Sequence, residues 1–496
     1  MSDAVDELRL LIRSRHPIIT IETDEERRAT DRVRQAVDSL AMQCYVWNMV
    51  DGLRATAPAS TQTIPGTAKP DDVLAHIMSK GWPAVFVLTD LCMHLRDAAL
   101  QRILRSFAQT ARERQQTIVL IDPATKLPDA LTRMAAPFEI PMPDETEIEQ
   151  IIRDTFKELS RFSSIRTDLT RSQFQHIIRT LRGLTAHEAR MAVSRVILDD
   201  DCLNADDIKR LLDVKREMVR EGGLLEYIDS EIDMDDLGGL NNLKRWLRKR
   251  AGALTPKARE FGLEPPRGVL LLGVQGCGKS AACKAVAATW KMPLLRLDPG
   301  QLYDKYVGES ERNLRKAIKQ AEAMAPVVLW IDEIEKAFAS AGAESTDGGL
   351  SKRMFGTLLN WLQDHKSPIF CVATANDITA LPPELVRKGR FDELFFVDLP
   401  GHDVRELIFA IHLLSRKRDP GGFNLSALAD ASEGFSGAEI EQAIVGALYA
   451  AFGHDRDLTQ DDLLAELRDT RPLSITMAER VAALRAWAAN RCVPAD

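Results

Sequence analysis

Short apolar runs alternate with amphipathic stretches along this chain, the pattern of parallel strands flanked by helices. In the first third, runs at 17–21, 44–50, 84–88 and 117–121 predict strands. From about 144 to 222 the pattern turns helical and polar, and Glu221-Gly222-Gly223 reads as a helix stop ahead of a linker. The second half repeats the plan. Strands are expected at 268–272, 294–297, 327–331 and 369–373, then a helical tail after Pro400 with a helix C-cap at Gly453. The layout that follows is a core over 1–143, a helical lid-like segment over 144–222 and a linker over 223–231. A second core covers 232–400, and a helical lid and tail cover 401–496.

The halves also match residue by residue. Leu127-Pro128-Asp129-Ala130-Leu131-Thr132-Arg133 parallels Leu381-Pro382-Pro383-Glu384-Leu385-Val386-Arg387, 254 positions later. Gly183-Leu184-Thr185-Ala186-His187-Glu188 parallels Gly434-Phe435-Ser436-Gly437-Ala438-Glu439, and 83–88 parallels 326–331. Two unrelated α/β domains with similar loops are the plainer alternative. The shared order and near-constant spacing favour two copies of one core, of which only the second kept its chemistry.

Composition adds limits. The chain has 496 residues, 45% hydrophobic and 28% charged, which supports buried cores and excludes a disordered or fibrous chain. No run approaches the roughly 18 apolar residues of a membrane span, and the acidic start (Asp3, Asp6, Glu7) is unlike a signal peptide, so a cytoplasmic location is expected. With 65 basic and 73 acidic residues the formal charge is −8, which argues against nucleic acid as a partner. The basic run 244–250 reads as a local patch or as the solvated face of a helix. Seven cysteines form no CxxC and no zinc-spaced cluster.

Gly273-Val274-Gln275-Gly276-Cys277-Gly278-Lys279-Ser280 fits G-x-x-x-x-G-K-[ST], following an apolar strand and preceding a helix-like stretch, and these residues with Ala281 are expected to bind the nucleotide. Glycines let backbone N–H groups close around phosphate oxygens, and the helix N-terminus adds partial positive charge. Lys279 is expected to reach the β- and γ-phosphates of ATP and the Ser280 hydroxyl to ligate Mg²⁺. The run 327–331 then ends in Asp332-Glu333, 59 residues after the loop opens. Asp332 is assigned to the magnesium side and Glu333 to the attacking water as its base. Asn376 ends a third strand, either as a bridge between water and γ-phosphate or as a turn former. Arg387 and Arg390 are either loop cations paired with carboxylates or arginine fingers, which are worth roughly 10³–10⁵ in rate.

The span 232–452 resembles the AAA family of ATPases. It shares the motifs above, the lead-in Asp235-Asp236-Leu237-Gly238-Gly239-Leu240, Gly308-Glu309-Ser310-Glu311 with Arg312 and Arg315, and the lid segment 434–439. The full arrangement is similar to the two-part AAA proteins encoded in cyanobacteria and plastids. That narrower match rests on 274–276, 329–334, Trp361-Leu362-Gln363 and 383–393. The resemblance implies an α/β fold, a three-layer αβα P-loop core with a parallel sheet and helical lid, here present twice with the first copy degenerate. It puts Gly238 against adenine and implies a homo-oligomeric ring, usually hexameric. Arg387 and Arg390 would then serve a neighbour's γ-phosphate, because the lid carries Ala438 where other P-loop families have a sensing arginine. Tyr306 falls at the family's first pore-loop position, where an aromatic grips an extended polypeptide; packing on a neighbouring loop is the plainer reading. The small polar stretch 343–349 is a second central loop or a linker.

The first half departs from that pattern. At the 254-residue offset its phosphate loop would lie at 19–26, which has no glycine or lysine and four carboxylates. One like-charge contact at 4 Å costs about 4 kcal/mol at an effective dielectric of 20, so no nucleotide is expected there. The strand end matching Asp332-Glu333 reads Thr89-Asp90. This half is expected to recognise a protein substrate or adaptor, or to brace the ring. His187-Glu188 lacks the second histidine of a zinc-protease helix, and Cys277 and Cys283 read as space-filling residues. Three roles follow for the hydrolysing unit: threading a protein substrate, acting as an ATP-gated switch, or, least favoured by charge, driving along nucleic acid.

Overall fold

Six strands make the first sheet: β1 Ile18–Glu22, β2 Gln43–Asn48, β3 Gly52–Ala55, β4 Ala84–Thr89, β5 Gln116–Asp122 and β6 Ala135–Phe138. The computed structural model describes residues 2–496 except 41, 57–62, 222, 230, 231, 233, 255, 303–308, 338–349, 379, 380 and 388. The chain divides into two compact units, Met1–Leu212 and Asp213–Asp496. In the first, the order is β3-β2-β4-β5-β1-β6, all parallel except the β2–β3 hairpin. The strands are continuous apolar runs because both faces are covered. Successive residues point to opposite faces, so Ile18, Phe86 and Ile118 pack with Trp47 and Phe107. Ile19, Val85, Val87 and Val119 pack against Val33 and Val37 on the other side. Beyond the sheet lie helices Glu145–Leu159, Arg171–Leu181 and Ala186–Asp200, the last two opened by capping boxes at Thr170 and Thr185. A two-stranded ribbon joins β7 Arg166–Thr167 to β8 Cys202–Leu203.

The second unit has β9 Glu226–Ile228, β10 Gly268–Gly273, β11 Leu294–Leu297, β12 Val327–Ile331, β13 Ile369–Ala375, β14 Glu393–Val397 and β15 Val493–Pro494. Its order is β15-β14-β10-β13-β12-β11-β9, with β9 antiparallel to β11 and the rest parallel. Leaving out the added edge strands, both sheets run second-third-fourth-first-fifth in chain order. Helices His402–Ser415, Leu425–Ala431, Gly437–Gly453 and Gln460–Asp469 form a separate cluster around Phe409, Leu413, Leu428, Ile440, Ile444 and Leu463.

Several expectations shift. The stretch read as linker contributes the edge strand β9. The tail is not helical to its end. It returns as β15 against β14, and Ala495 N–H donates to the Phe396 carbonyl at 2.9 Å. Gly453 is the last helical residue, with His454 as its cap. The basic run forms helix Asn241–Arg250, whose Leu243 and Leu247 enter the core while Arg245, Arg248 and Lys249 face solvent. No helix among the described residues is long and apolar enough to cross a membrane.

Candidate nucleotide site

The loop 274–278 joins β10 to helix Lys279–Trp290 at the carboxyl end of the sheet, where open α/β sheets bind ligands. Gly273 is required by crowding: a Cβ there would stand 1.9 Å from the Val397 carbonyl oxygen of β14. Gly278 caps the helix at φ 90°, a left-handed conformation that glycine adopts without strain. Val274 is buried, Gln275 exposed, and Gly276 and Cys277 half-buried. The Gly276 carbonyl accepts from Ala438 N–H at 3.0 Å, tying the loop to the lid. Ser280 is exposed in the first helical turn, next to half-buried Ala281. Gly238 lies against the lid helix His402–Ser415, where a Cβ would stand 2.9 Å from Ile408 Cγ1.

Lys279 is 6% exposed and donates to the carbonyls of Gly273 (2.9 Å) and Val274 (2.8 Å). Burial pushes its ammonium down to about 8, against the smaller opposing pull of nearby acids including Glu335 and Glu333. It pairs with no carboxylate among the described residues. A buried cation with only carbonyl partners is short of an anion, and a phosphate tail fits that need.

The acids stand at the end of β12. Asp332 accepts from Thr374 Oγ1 at 2.9 Å and Arg296 Nη2 at 2.8 Å. Glu333 adopts φ 48°, unusual for a residue with a side chain and worth about 1 kcal/mol of strain. Its N–H donates to the same Thr374 hydroxyl at 3.0 Å, and its Oε1 accepts from Asn376 Nδ2 at 2.9 Å. Lys336 is ion-paired with the same carboxylate. Asn376 N–H in turn donates to Glu335 Oε1 at 2.8 Å; Glu335 is 8% exposed, and burial raises its pKa. Asp332, Glu333 and Asn376 are therefore linked directly or through Thr374. Thr374, Arg296, Glu335 and Lys336 were missed by sequence reasoning. The register pairing Ile331 with Ala373 places Thr374 opposite Asp332, so assumed strand pairing would have found it.

Arg387 and Arg390 are not brought to this cluster. Arg387 is exposed, and Arg390 has a buried Nε without a partner. Their loop is tied to the opposite end of β10: Asp392 Oδ2 accepts from the N–H groups of Arg267 (2.8 Å) and Gly268 (3.1 Å). Gly268 and Gly273 are five strand steps apart, about 16 Å at 3.3 Å each. Tyr306 and 343–349 lie outside the described residues.

The equivalent corner of the first unit is built differently. Three residues, Thr23-Asp24-Glu25, connect β1 to helix Glu26–Asp38, against five in the second unit; 19–22 belong to the strand. Glu25 Oε1 accepts from His187 N–H at 3.2 Å, at the start of helix Ala186–Asp200. Arg28 pairs with Glu25 (3.1 Å) and Glu147 (2.8 Å), and Arg32 with Glu147 (2.7 Å). Burial opposes ionisation of Glu147, yet the two arginines hold it below the ordinary carboxylate range. Asp90, after β4, adopts φ 57°. Asp122 at the end of β5 is 3% exposed, and burial pushes it up to about 6.

A glycine-rich loop feeding a helix, an acid pair at the end of the strand two places along the sheet and a helical lid define a P-loop domain of the AAA type. The chain belongs to that family: residues 269–399 match the ATPase family associated with various cellular activities (AAA), and 422–465 match the AAA+ lid domain. Residues 4–140 and 146–222 match the N-terminal and second domains of SpoVK-like AAA ATPases. Among its relatives, the uncharacterized AAA domain-containing protein ycf46 of Trieres chinensis is 37% identical over 492 residues, spanning 98% of this chain and 96% of that protein. The same-named protein of Pyropia yezoensis is 36% identical over 491 residues, spanning 98% and 97%. The proteasome-activating nucleotidase of Saccharolobus solfataricus is 35% identical over 244 residues, 47% of this chain and 61% of that one.

Proposed function

We propose that the second unit hydrolyses ATP to ADP and phosphate with Mg²⁺, in a cytoplasmic homo-oligomeric ring of six chains that remodels a protein substrate recruited through the first unit. The observation that carries this reading is the buried Lys279 ammonium, short of an anion at the opening of a helix. Lys279 and the amides of 274–280 hold the phosphates, Gly238 lies against the base, and Ser280 with Asp332 hold the cation. When bound, Mg²⁺ supplies neutralisation of charge on the phosphoryl oxygens. Glu333 takes the proton of the attacking water, and Asn376 fixes that carboxylate. Arg387 and Arg390 act on the neighbouring chain's nucleotide, a reading supported by their anchorage about 16 Å along β10 from their own loop. Tyr306 is assigned to substrate in the central pore.

We read the first unit as a degenerate copy of the same core. The common strand order, the left-handed Asp90 at the strand end matching Glu333 and the shortened loop support this. There Glu25 takes the anion's place, holding the lid helix and Arg28. An ATP-gated switch is the second reading. It is favoured by the engagement of both acids with Arg296 and Lys336, and it predicts slow turnover. A nucleic-acid motor fits the acidic balance least.

Glu333→Gln is expected to bind ATP while losing about 10²–10⁴ of turnover, the usual contribution of a general base. With ATP it elutes from a sizing column as a large assembly and retains protein partners. Elution as a monomer with ATP bound would overturn the ring.

A further inference from the structure

Arg296 breaks the pattern of its strand. Leu294, Leu295 and Leu297 of β11 are all buried, and the one charged residue among them is half-buried. The sheet register puts Arg296 directly opposite Trp330 of β12 and Glu226 of β9. Side chains two residues apart share a face, so Asp332, two residues beyond Trp330, is also in reach. The contacts follow from that placement. Nη2 donates to Asp332 Oδ2 at 2.8 Å, Nη1 to Glu226 Oε2 at 3.4 Å, and the guanidinium lies 5.1 Å from the Trp330 ring centre. Its Nε is buried without a partner.

Asp332 thus already has a full counter-charge. A carboxylate paired with a guanidinium is poorly placed to ligate a dication, and two positive groups on one carboxylate repel each other. Glu226 offers Arg296 a second carboxylate, on the edge strand that follows helix Asp207–Glu221.

We propose that Arg296 is a positioning residue that latches Asp332 in the metal-free chain, sets the Mg²⁺ concentration at which nucleotide binds, and shifts its pairing to Glu226 when Asp332 is taken up as a ligand. The inference rests on the ATPase reading of the same site. It couples the edge strand β9 to the metal position. A purely structural arginine would instead weaken binding when removed, whatever the Mg²⁺ level.

The test measures ADP affinity of the full chain across a Mg²⁺ series by calorimetry, with Trp330 fluorescence followed in parallel. Arg296→Met keeps the apolar stem, removes the charge, and is expected to lower the half-saturating Mg²⁺ about tenfold, the scale of one charge-assisted pair. Glu226→Gln removes the alternative counter-charge and is expected to raise it severalfold. Arg296→Lys falls between Arg296→Met and the unaltered chain. An unchanged or higher Mg²⁺ requirement in Arg296→Met overturns the latch while the ATPase reading stands. An unaltered chain that binds no ADP at any Mg²⁺ level overturns both.

Discussion

Lys279 carries two consequences that pull in opposite directions. Its burial makes the ammonium costly, which is why its pKa falls to about 8. The same burial makes a phosphate partner valuable, because charge pairs strengthen away from water. Binding an anion raises the lysine's pKa, so linkage fixes the sign of the pH dependence. Below about pH 8 the ammonium is already formed, and affinity for nucleotide is flat. Above it the free site must take up a proton to bind, and affinity falls toward tenfold per pH unit. A titration of ADP affinity between pH 6.5 and 9.5 reads this directly. Lys279→Arg, charged throughout that range, is expected to abolish the bend. A bend that persists in Lys279→Arg would assign the titration to another group.

The two β-to-helix connections separate the units more sharply than their sheets do. In the first unit, Glu25 closes the corner with an internal carboxylate that accepts from His187 N–H and pairs with Arg28. Glu25→Ala is expected to cost about 1–3 kcal/mol, the range for a lost partly buried charged hydrogen bond. It should be seen as a lower melting temperature with no gain in nucleotide binding. A gain in nucleotide binding would contradict the reading of Glu25 as the anion's replacement. The phosphate loop, Asp332-Glu333 and Asn376 were legible because their chemistry is written in consecutive residues with local turn and helix signals. All eight expected strands begin within a residue of their apolar runs for the same reason; β2 ends two residues earlier than its run and β13 two residues later. What was not legible depends on pairing between distant segments. β9 and β15 are short edge strands without an apolar run of their own, fixed by β11 and β14. Thr374 and Arg296 join the site only through strand register. The two-residue shortening at Thr23–Glu25 was hidden because the 254-residue offset was taken from a distant matching segment.

Across the whole molecule, the tie between Arg267, Gly268 and Asp392 keeps Arg387 and Arg390 at the end of β10 away from their own phosphate loop. On the proposed reading the arginine for the γ-phosphate comes from another chain, and specific activity should rise with protein concentration. At dilutions where light scattering finds only monomer, turnover per chain is expected to drop by about 10³ or more. Arg390→Ala should be slow at every concentration. Full activity in a monomer would return the arginines to a structural role.

Lys279 is the one lysine proposed to bind phosphate in a chain with two similarly ordered sheets. Calorimetric titration of the full chain with ATP and Mg²⁺ at pH 7 therefore decides most. It should give one nucleotide per chain, and none in Lys279→Ala when circular dichroism confirms that the variant is folded. Two nucleotides per chain, or undiminished binding in Lys279→Ala, would contradict it.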